Sequence, residues 1–215
     1  MSREKFNSPS MPSCDMGLYR QVARLHMDGI NRGFLPQLGQ GFMALLYEAI
    51  DRCQASVLIV EVENAKVIGF VSGAASMKPI YRQLLRKPFH LLVALLPSLI
   101  RPQRLKRIYE ILRYSSRTNN GEVMTLPEFE LLSIVVAPAA RGTGCSEHLY
   151  KKLIEYCEQQ QIQAFKIIVG DALVPAHRFY QRMGAQPAGR VEVHAGEGSV
   201  IYAQVISTRG KNRNG

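Results

Sequence analysis

The chain has 215 residues and a formal net charge of +10 at neutral pH. That length suits one large domain, or one domain with an insertion, and leaves room for a real core. The charge points to an anionic partner (a phosphorylated small molecule, a nucleic acid or an acidic membrane surface), and the four cysteines, Cys14, Cys53, Cys145 and Cys157, have neither CxxC nor zinc-site spacing and read as reduced thiols of a cytosolic protein.

The opening "MSREKFNSPSMPSCDMG" is polar and lacks the apolar centre of a signal peptide. Residues 1–14 and the tail 207–215 are expected to be disordered, flanking a single domain over 15–206. Leu18, Val22, Leu25 and His26 recur at spacings of three and four, the pattern of a helix face. "GFLPQLG" ends that helix, and a second follows with Phe42, Leu45, Leu46, Ala49 and Ile50 on one side. "SVLIVEVEN" and "KVIGFVSGAAS" read as strands of an antiparallel hairpin turning at Glu63-Asn64-Ala65-Lys66.

Residues 78–121 differ in character. They hold ten basic side chains against one acid, Glu110, and so carry nearly all of the net charge. Leucines recur at helical spacing, and Pro79, Pro88, Pro97 and Pro102 are expected to divide the segment into short helices. Its apolar run, Phe89 to Ile100, is interrupted by Pro97 and falls short of the roughly 20 residues of a spanning helix. Strand character returns in "EFELLSIVVAP". A loop with two glycines and a helix to about Gln160 come next, followed by a strand "AFKIIVG" and a short helix "VPAHRFYQRMGA" stopped by Gly184. "RVEVHA" and "SVIYAQVI" close the chain as a terminal hairpin. The order ααββ, insertion, βαβαββ predicts a mixed α/β (α+β) domain.

The junction Arg141-Gly142-Thr143-Gly144-Cys145-Ser146 has the make-up of a phosphate site. Glycines let backbone N–H groups converge without a Cβ in the way. The helix N-terminus behind them offers unpaired donors and the positive end of a dipole, and Arg141 suits a bidentate phosphate contact. A tight turn would use the same glycines. No Gly-Lys-Ser/Thr follows, as a Walker A loop requires, and the third glycine of GxGxxG is missing.

Arg141-x-x-Gly144-x-Ser146 resembles the Arg/Gln-x-x-Gly-x-Gly/Ala signature of the GNAT superfamily of N-acetyltransferases. "LLSIVVAP" looks like that family's fourth strand, and Ala176, Phe179, Tyr180, Gly184 and Ala185 are similar to its A-x-x-[LF]-Y-x-x-x-G-F segment. The resemblance covers about Leu18–Ser76 and Glu128–Ile206. Ser146 replaces the usual Gly or Ala, Leu173 stands where many members have Asn, and Ala185 replaces Phe. The resemblance implies a mostly antiparallel twisted sheet flanked by helices, with 78–121 inserted between its third and fourth strands. It further implies that residues 141–146 cradle the pyrophosphate of acetyl-CoA, and that the backbone of Ile134, Val135 and Val136 lines the pantetheine arm.

Acetyl transfer from a thioester needs a neutral amine. At neutral pH this costs about 4 to 5 kcal/mol for a lysine-like amine and far less for an α-amine or amino sugar. A base and an acid for the leaving thiolate therefore help. The resemblance makes Tyr180 the acid, although a buried aromatic with a satisfied hydroxyl fits the same position. Glu130 is the first candidate for the base, sharing a strand face with Glu128; an exposed face, or water acting alone, is the alternative, with Ser133 able to place such a water. His177, one helical turn before Tyr180, is expected at the surface, and His148 is expected to cap or pack on the helix after the loop. Cys145 is expected to fill the loop, with a pKa that a helix start could lower. No metal-ligand spacing is present.

The expected activity is acetyl-CoA-dependent transfer to a primary amine of a small, anionic molecule such as an amino sugar or a nucleotide-linked amino sugar, with a peptide acceptor as the alternative. Nucleic-acid binding is disfavoured because the basic segment is rich in leucine. Contact of 78–121 with an anionic membrane, and homodimerisation, remain open.

Overall fold

The computed structural model describes residues 16–30, 35–99, 126–194 and 197–206. Helix α1 (Met16–Gly29) and helix α2 (Gln40–Arg52) are joined through a 3-10 turn at Leu35–Leu38. On α1 the expected face is buried at Val22, Leu25 and His26, together with Tyr19 and Ala23. On α2 every residue from Phe42 to Ile50 is buried, not one face alone. The reason lies in the insertion. Its described part forms α3 (Met77–Leu85) and α4 (Pro88–Leu99), and Ile80, Leu84, Leu91, Ala94 and Leu95 pack into the same apolar cluster as α2. The buried Glu48 on α2 meets Lys87 at 2.6 Å and Arg52 at 2.9 Å, so the charge it carries is paired.

Ser76 caps α3, accepting the Lys78 amide. Pro88 opens α4, where its missing N–H is harmless. Of the other prolines expected to divide the segment, Pro79 lies in the first turn of α3 and Pro97 within α4. Residues 100–125, including Pro102, lie outside the described residues.

Strands β1 (Ser56–Glu63) and β2 (Lys66–Ala74) form the expected hairpin. Its two turn residues, Asn64 and Ala65, both have positive φ (49° and 60°), the turn whose twist matches the strands. Two described strands precede the insertion, whose described part lies between β2 and the strand holding the "LLSIVVAP" likened above to the family's fourth. Beyond it come β3 (Phe129–Val136), α5 (Cys145–Gln159), β4 (Ala164–Gly170), α6 (Val174–Arg182), β5 (Gln186–His194) and β6 (Glu197–Val205).

The six strands form one sheet in the order β1-β2-β3-β4-β6-β5. All pairs are antiparallel except β3 with β4. Helices α1 to α4 share one apolar cluster with Phe70, Ala74 and Val135 on one face of the sheet. On the other face α5 and α6 pack against Val71, Phe129, Leu131, Phe165, Ile167 and Tyr202. Gly69 lets α5 approach β2, since a Cβ there would meet Leu149 Cδ1 at 2.9 Å and Cys145 Sγ at 3.0 Å.

Candidate active site

Among the described strands the only parallel pair is also the shortest. β3 and β4 are in register at Phe129–Phe165, Glu130–Lys166 and Leu131–Ile167, and then separate, although β3 continues to Val136 and β4 to Gly170. The separation starts at a β-bulge. Opposite Ser72 and Gly73 of β2 stand Ser133 and Leu131, which leaves Leu132 as the extra residue. A bulge bends its strand and increases the local twist, here turning β3 away from β4.

The bulge decides which backbone groups face the gap. Ala137 N donates to Ile68 O at 2.8 Å, and Val135 and Ser133 oppose Phe70 and Ser72. In an antiparallel ladder these alternate residues turn their N–H and C=O toward the partner strand, so those of Ile134 and Val136 turn the other way, into the gap left by β4. Of the three expected strand residues, Ile134 and Val136 therefore present free backbone to the gap. Val135 does not: its backbone faces β2 and its side chain packs on α1, with Cγ1 2.5 Å from where a Gly29 Cβ would stand.

At the mouth of the gap is the glycine loop. Gly142 (φ 77°) and Gly144 (φ 86°) both adopt the left-handed backbone that glycine tolerates. Arg141 N–H is held by Pro138 O, and the first helical bond of α5 runs from His148 N–H to Gly144 O at 2.9 Å. Between these two, the amides of residues 142–146 find no backbone acceptor among the described residues. No side chain caps the helix. The result is a row of exposed N–H donors at a positive helix end, which fits a pyrophosphate. The loop's own side chains are turned elsewhere: Thr143 Oγ1 donates to Ala140 O at 2.8 Å, and Ser146 Oγ to Glu147 Oε2 at 3.0 Å. Glu147, in the first turn, is ion-paired with Arg182. Its own backbone amide, Ser146 and Arg182 hold its carboxyl below the usual range. Arg141 is exposed and makes no ion pair among the described residues.

Cys145 departs from the expectation of a lowered pKa. Burial, with Glu61 and Glu147 nearby, raises its thiol and leaves it a packing group against Gly69 and Leu149. His148 lies 3.2 Å from Glu61, which also pairs with Lys152 at 2.6 Å, so α5 is tied to β1. His177 is half-buried and not a plain surface residue. Its Nε2 donates to Gly170 O at 3.1 Å, leaving Nδ1 to accept from Tyr202 Oη at 2.9 Å, which fixes α6 on β4 and β6. Leu173, where an Asn was the family habit, provides no cap to α6 and is half exposed.

Tyr180 is buried on the α5–α6 side, in the cluster that Ile134, Val136 and Cys145 also border. Its ring lies 6.0 Å from that of Tyr150 and 5.2 Å from that of Phe179. Burial raises its pKa, so the hydroxyl keeps its proton. Glu130 is on the opposite face, paired in register with Ala74 and Lys166. Burial raises its carboxyl, while Lys166, at 3.8 Å, opposes that rise. Lys166 Nζ also donates to Pro127 O at 3.1 Å, where the chain returns from the insertion. Glu128 precedes β3 and is exposed.

Sequence reasoning missed one group, a buried polar set on the α1–α2 side. His26 Nδ1 lies 2.5 Å from Tyr47 Oη, and the hydroxyls of Ser133 and Ser72 adjoin Tyr47. Among the described residues no cluster of three His, Cys, Asp or Glu side chains could hold a metal, and no helix is long and apolar enough to cross a membrane.

Comparison with known proteins agrees with this geometry. The chain is similar in fold to an aminoglycoside 6'-N-acetyltransferase complexed with coenzyme A (11% identity, TM-score 0.56, covering 97% of this chain and 98% of that one). It is likewise similar to the ribosomal-protein-S18-alanine N-acetyltransferase of Escherichia coli (13%, TM-score 0.54, 95% and 97%) and to Arabidopsis thaliana NAA60 in complex with a bisubstrate analogue (15%, TM-score 0.54, 89% and 94%). No curated protein sequence matches the chain significantly. The family model of the GNAT acetyltransferases matches residues 27–185. With a glycine loop of free amides at the mouth of a splayed strand pair, the chain belongs to the GNAT family of acetyl-CoA-dependent acetyltransferases.

Proposed function

We propose that this acetyltransferase moves the acetyl group directly from acetyl-CoA to the primary amine of a small anionic molecule, an amino sugar or nucleotide-linked amino sugar. The observation that carries the mechanism is the opening between β3 and β4, with the glycine loop at its mouth and candidate acid and base on opposite faces of the sheet. The amides of residues 142–146 and Arg141 hold the pyrophosphate, and the backbone of Ile134 and Val136 pairs with the pantetheine arm. A backbone N–H in the gap polarises the thioester carbonyl. From the α1–α2 face the amine attacks, its proton passing to Glu130. The C–N bond forms, the C–S bond breaks, and Tyr180 protonates the departing thiolate from the other face.

The anionic acceptor is inferred from charge. Lys166 stands beside Glu130 and donates to Pro127 O just before β3, and the insertion carries a formal net charge of +9. The test is CoA release from acetyl-CoA with a panel of amines, amino sugars, nucleotide-linked amino sugars and peptides. Anionic amino sugars should react fastest; transfer to peptides alone would overturn the acceptor assignment.

A second role for the insertion is favoured by Leu85, Phe89, Leu92 and Val93. They are 65, 80, 56 and 69% exposed beside Lys78, Arg82 and Arg86. An apolar stripe with basic flanks suits peripheral contact with an anionic membrane better than nucleic acid. Co-sedimentation with phosphatidylglycerol vesicles, but not with phosphatidylcholine vesicles, is the expected result; absence from both would refute it.

A further inference from the structure

The transfer chemistry leaves the polar set on the α1–α2 side unused. His26 on α1 is 6% exposed, Tyr47 on α2 is 2% exposed, and Ser72 on β2 is fully enclosed. His26 stacks on Phe70 at 6.3 Å, and Tyr47 meets the same ring edge-on at 5.1 Å, so both side chains are held in place. Ser72 Oγ has no hydrogen-bond partner at full geometry. Polar groups in such a core are costly, and a phenylalanine at position 47 would fill the space without that cost. The set is not sealed. It runs outward to Ser133, its one half-buried member, just beyond the bulge where β3 has left β4.

The bulge also sets the facing of Ser133. Along a regular strand, residues 130 and 133 would point to opposite faces. With Leu132 as the extra residue, Glu130 opposes Ala74 and Ser133 opposes Ser72, two residues apart on β2 and therefore on one face. The strand rise puts these positions about 7 Å apart. A nitrogen placed between them is within reach of both.

We propose, resting on the acetyltransferase function above, that His26 and Tyr47 are positioning residues that orient the Ser133 hydroxyl. Ser133 Oγ accepts a hydrogen bond from one N–H of the attacking amine while Glu130 takes a proton from the same nitrogen. We take neutral His26 as the tautomer with its proton on Nε2, which leaves Nδ1, 2.5 Å from Tyr47 Oη, as the acceptor. Burial keeps His26 neutral, its pKa lowered to about 4, and keeps Tyr47 protonated. With that tautomer Tyr47 O–H donates to His26 Nδ1, Ser133 O–H donates to Tyr47 Oη, and the Ser133 lone pairs remain for a donor on the α1–α2 face. Only a donor satisfies them. A neutral primary amine has two N–H groups, one for Ser133 and one for Glu130, with its lone pair free for the carbonyl. A neutral secondary amine has one, so the site selects primary amines over their N-methyl counterparts.

The test is a double-mutant cycle with Tyr47→Phe, Ser133→Ala and the pair. Acetyl-CoA affinity is measured by calorimetry, and CoA release is measured with the best primary amine of the panel and its N-methyl form. Each single variant should lower kcat about tenfold with unchanged acetyl-CoA Kd, and the double should be no slower than Ser133→Ala alone, because Tyr47 acts only through Ser133. Losses that multiply, or an unimpaired Tyr47→Phe, overturn the chain while leaving the acetyltransferase function intact. If Tyr47→Phe fails to fold, Ser133→Ala decides alone: it should also shrink the preference for the primary amine, and an unchanged preference overturns the proposal. A wild-type protein that neither binds acetyl-CoA nor releases CoA removes the function itself and this inference with it.

Discussion

His26 provides a quantitative test of the buried face. Burial lowers its pKa from 6.5 to about 4. The unfolded chain therefore takes up a proton as pH falls through 6.5, while the folded chain resists until about 4. Stability associated with the neutral ring is fully present above the unfolded value and is lost between the two. The full shift corresponds to about 3 kcal/mol, and at pH 5 linkage gives a loss of about 2 kcal/mol relative to pH 7.5. Urea unfolding at pH 7.5 and pH 5, on the wild type and on His26→Gln, isolates this contribution, since other groups titrate alike in both proteins. The variant should be less stable at pH 7.5 but should lose about 2 kcal/mol less on acidification. Equal losses in the two proteins would refute the claim that His26 is held neutral by burial.

Gly144→Val should abolish acetyl-CoA binding by calorimetry in a folded protein. A Cβ at Gly144 meets no atom within 4 Å, so the damage comes from the left-handed φ of 86° and from bulk above the loop amides. Tyr180→Phe should lower kcat by about a hundredfold with acetyl-CoA Kd unchanged; full turnover would remove Tyr180 as the acid. For Glu130 the base form is the deprotonated one and its pKa is raised. Wild-type kcat/KM should therefore fall as pH drops through that raised value, and Glu130→Gln should be slow and lack this acidic limb.

Much of the fold was legible because local chemistry agrees with the tertiary result. Asn64-Ala65 between two apolar runs marked the hairpin, and Gly142 and Gly144 before an amphipathic run marked the loop and the start of α5. Other features depend on partners distant in sequence. The all-round burial of α2 and the buried Glu48 follow from α3 and α4 packing over it, which no periodicity within α2 reveals. The bulge at Leu132 is harder still. It reverses the alternation of β3, so period-two reasoning separates Ser133 from Glu130 when the fold puts them on one face. For the same reason His26 read only as part of a helix face: its partner Tyr47 is on another helix, and the outlet of the set is on a strand.

The central claim is that acetyl-CoA lies in the opening between β3 and β4 with its pyrophosphate on the glycine loop. Amide proton–nitrogen NMR during titration with acetyl-CoA tests it most directly. The signals of residues 142–146, together with Ile134 and Val136, should move saturably, and in Gly144→Val they should stay in place. Binding that leaves these amides unmoved, or no binding at all, would contradict the account.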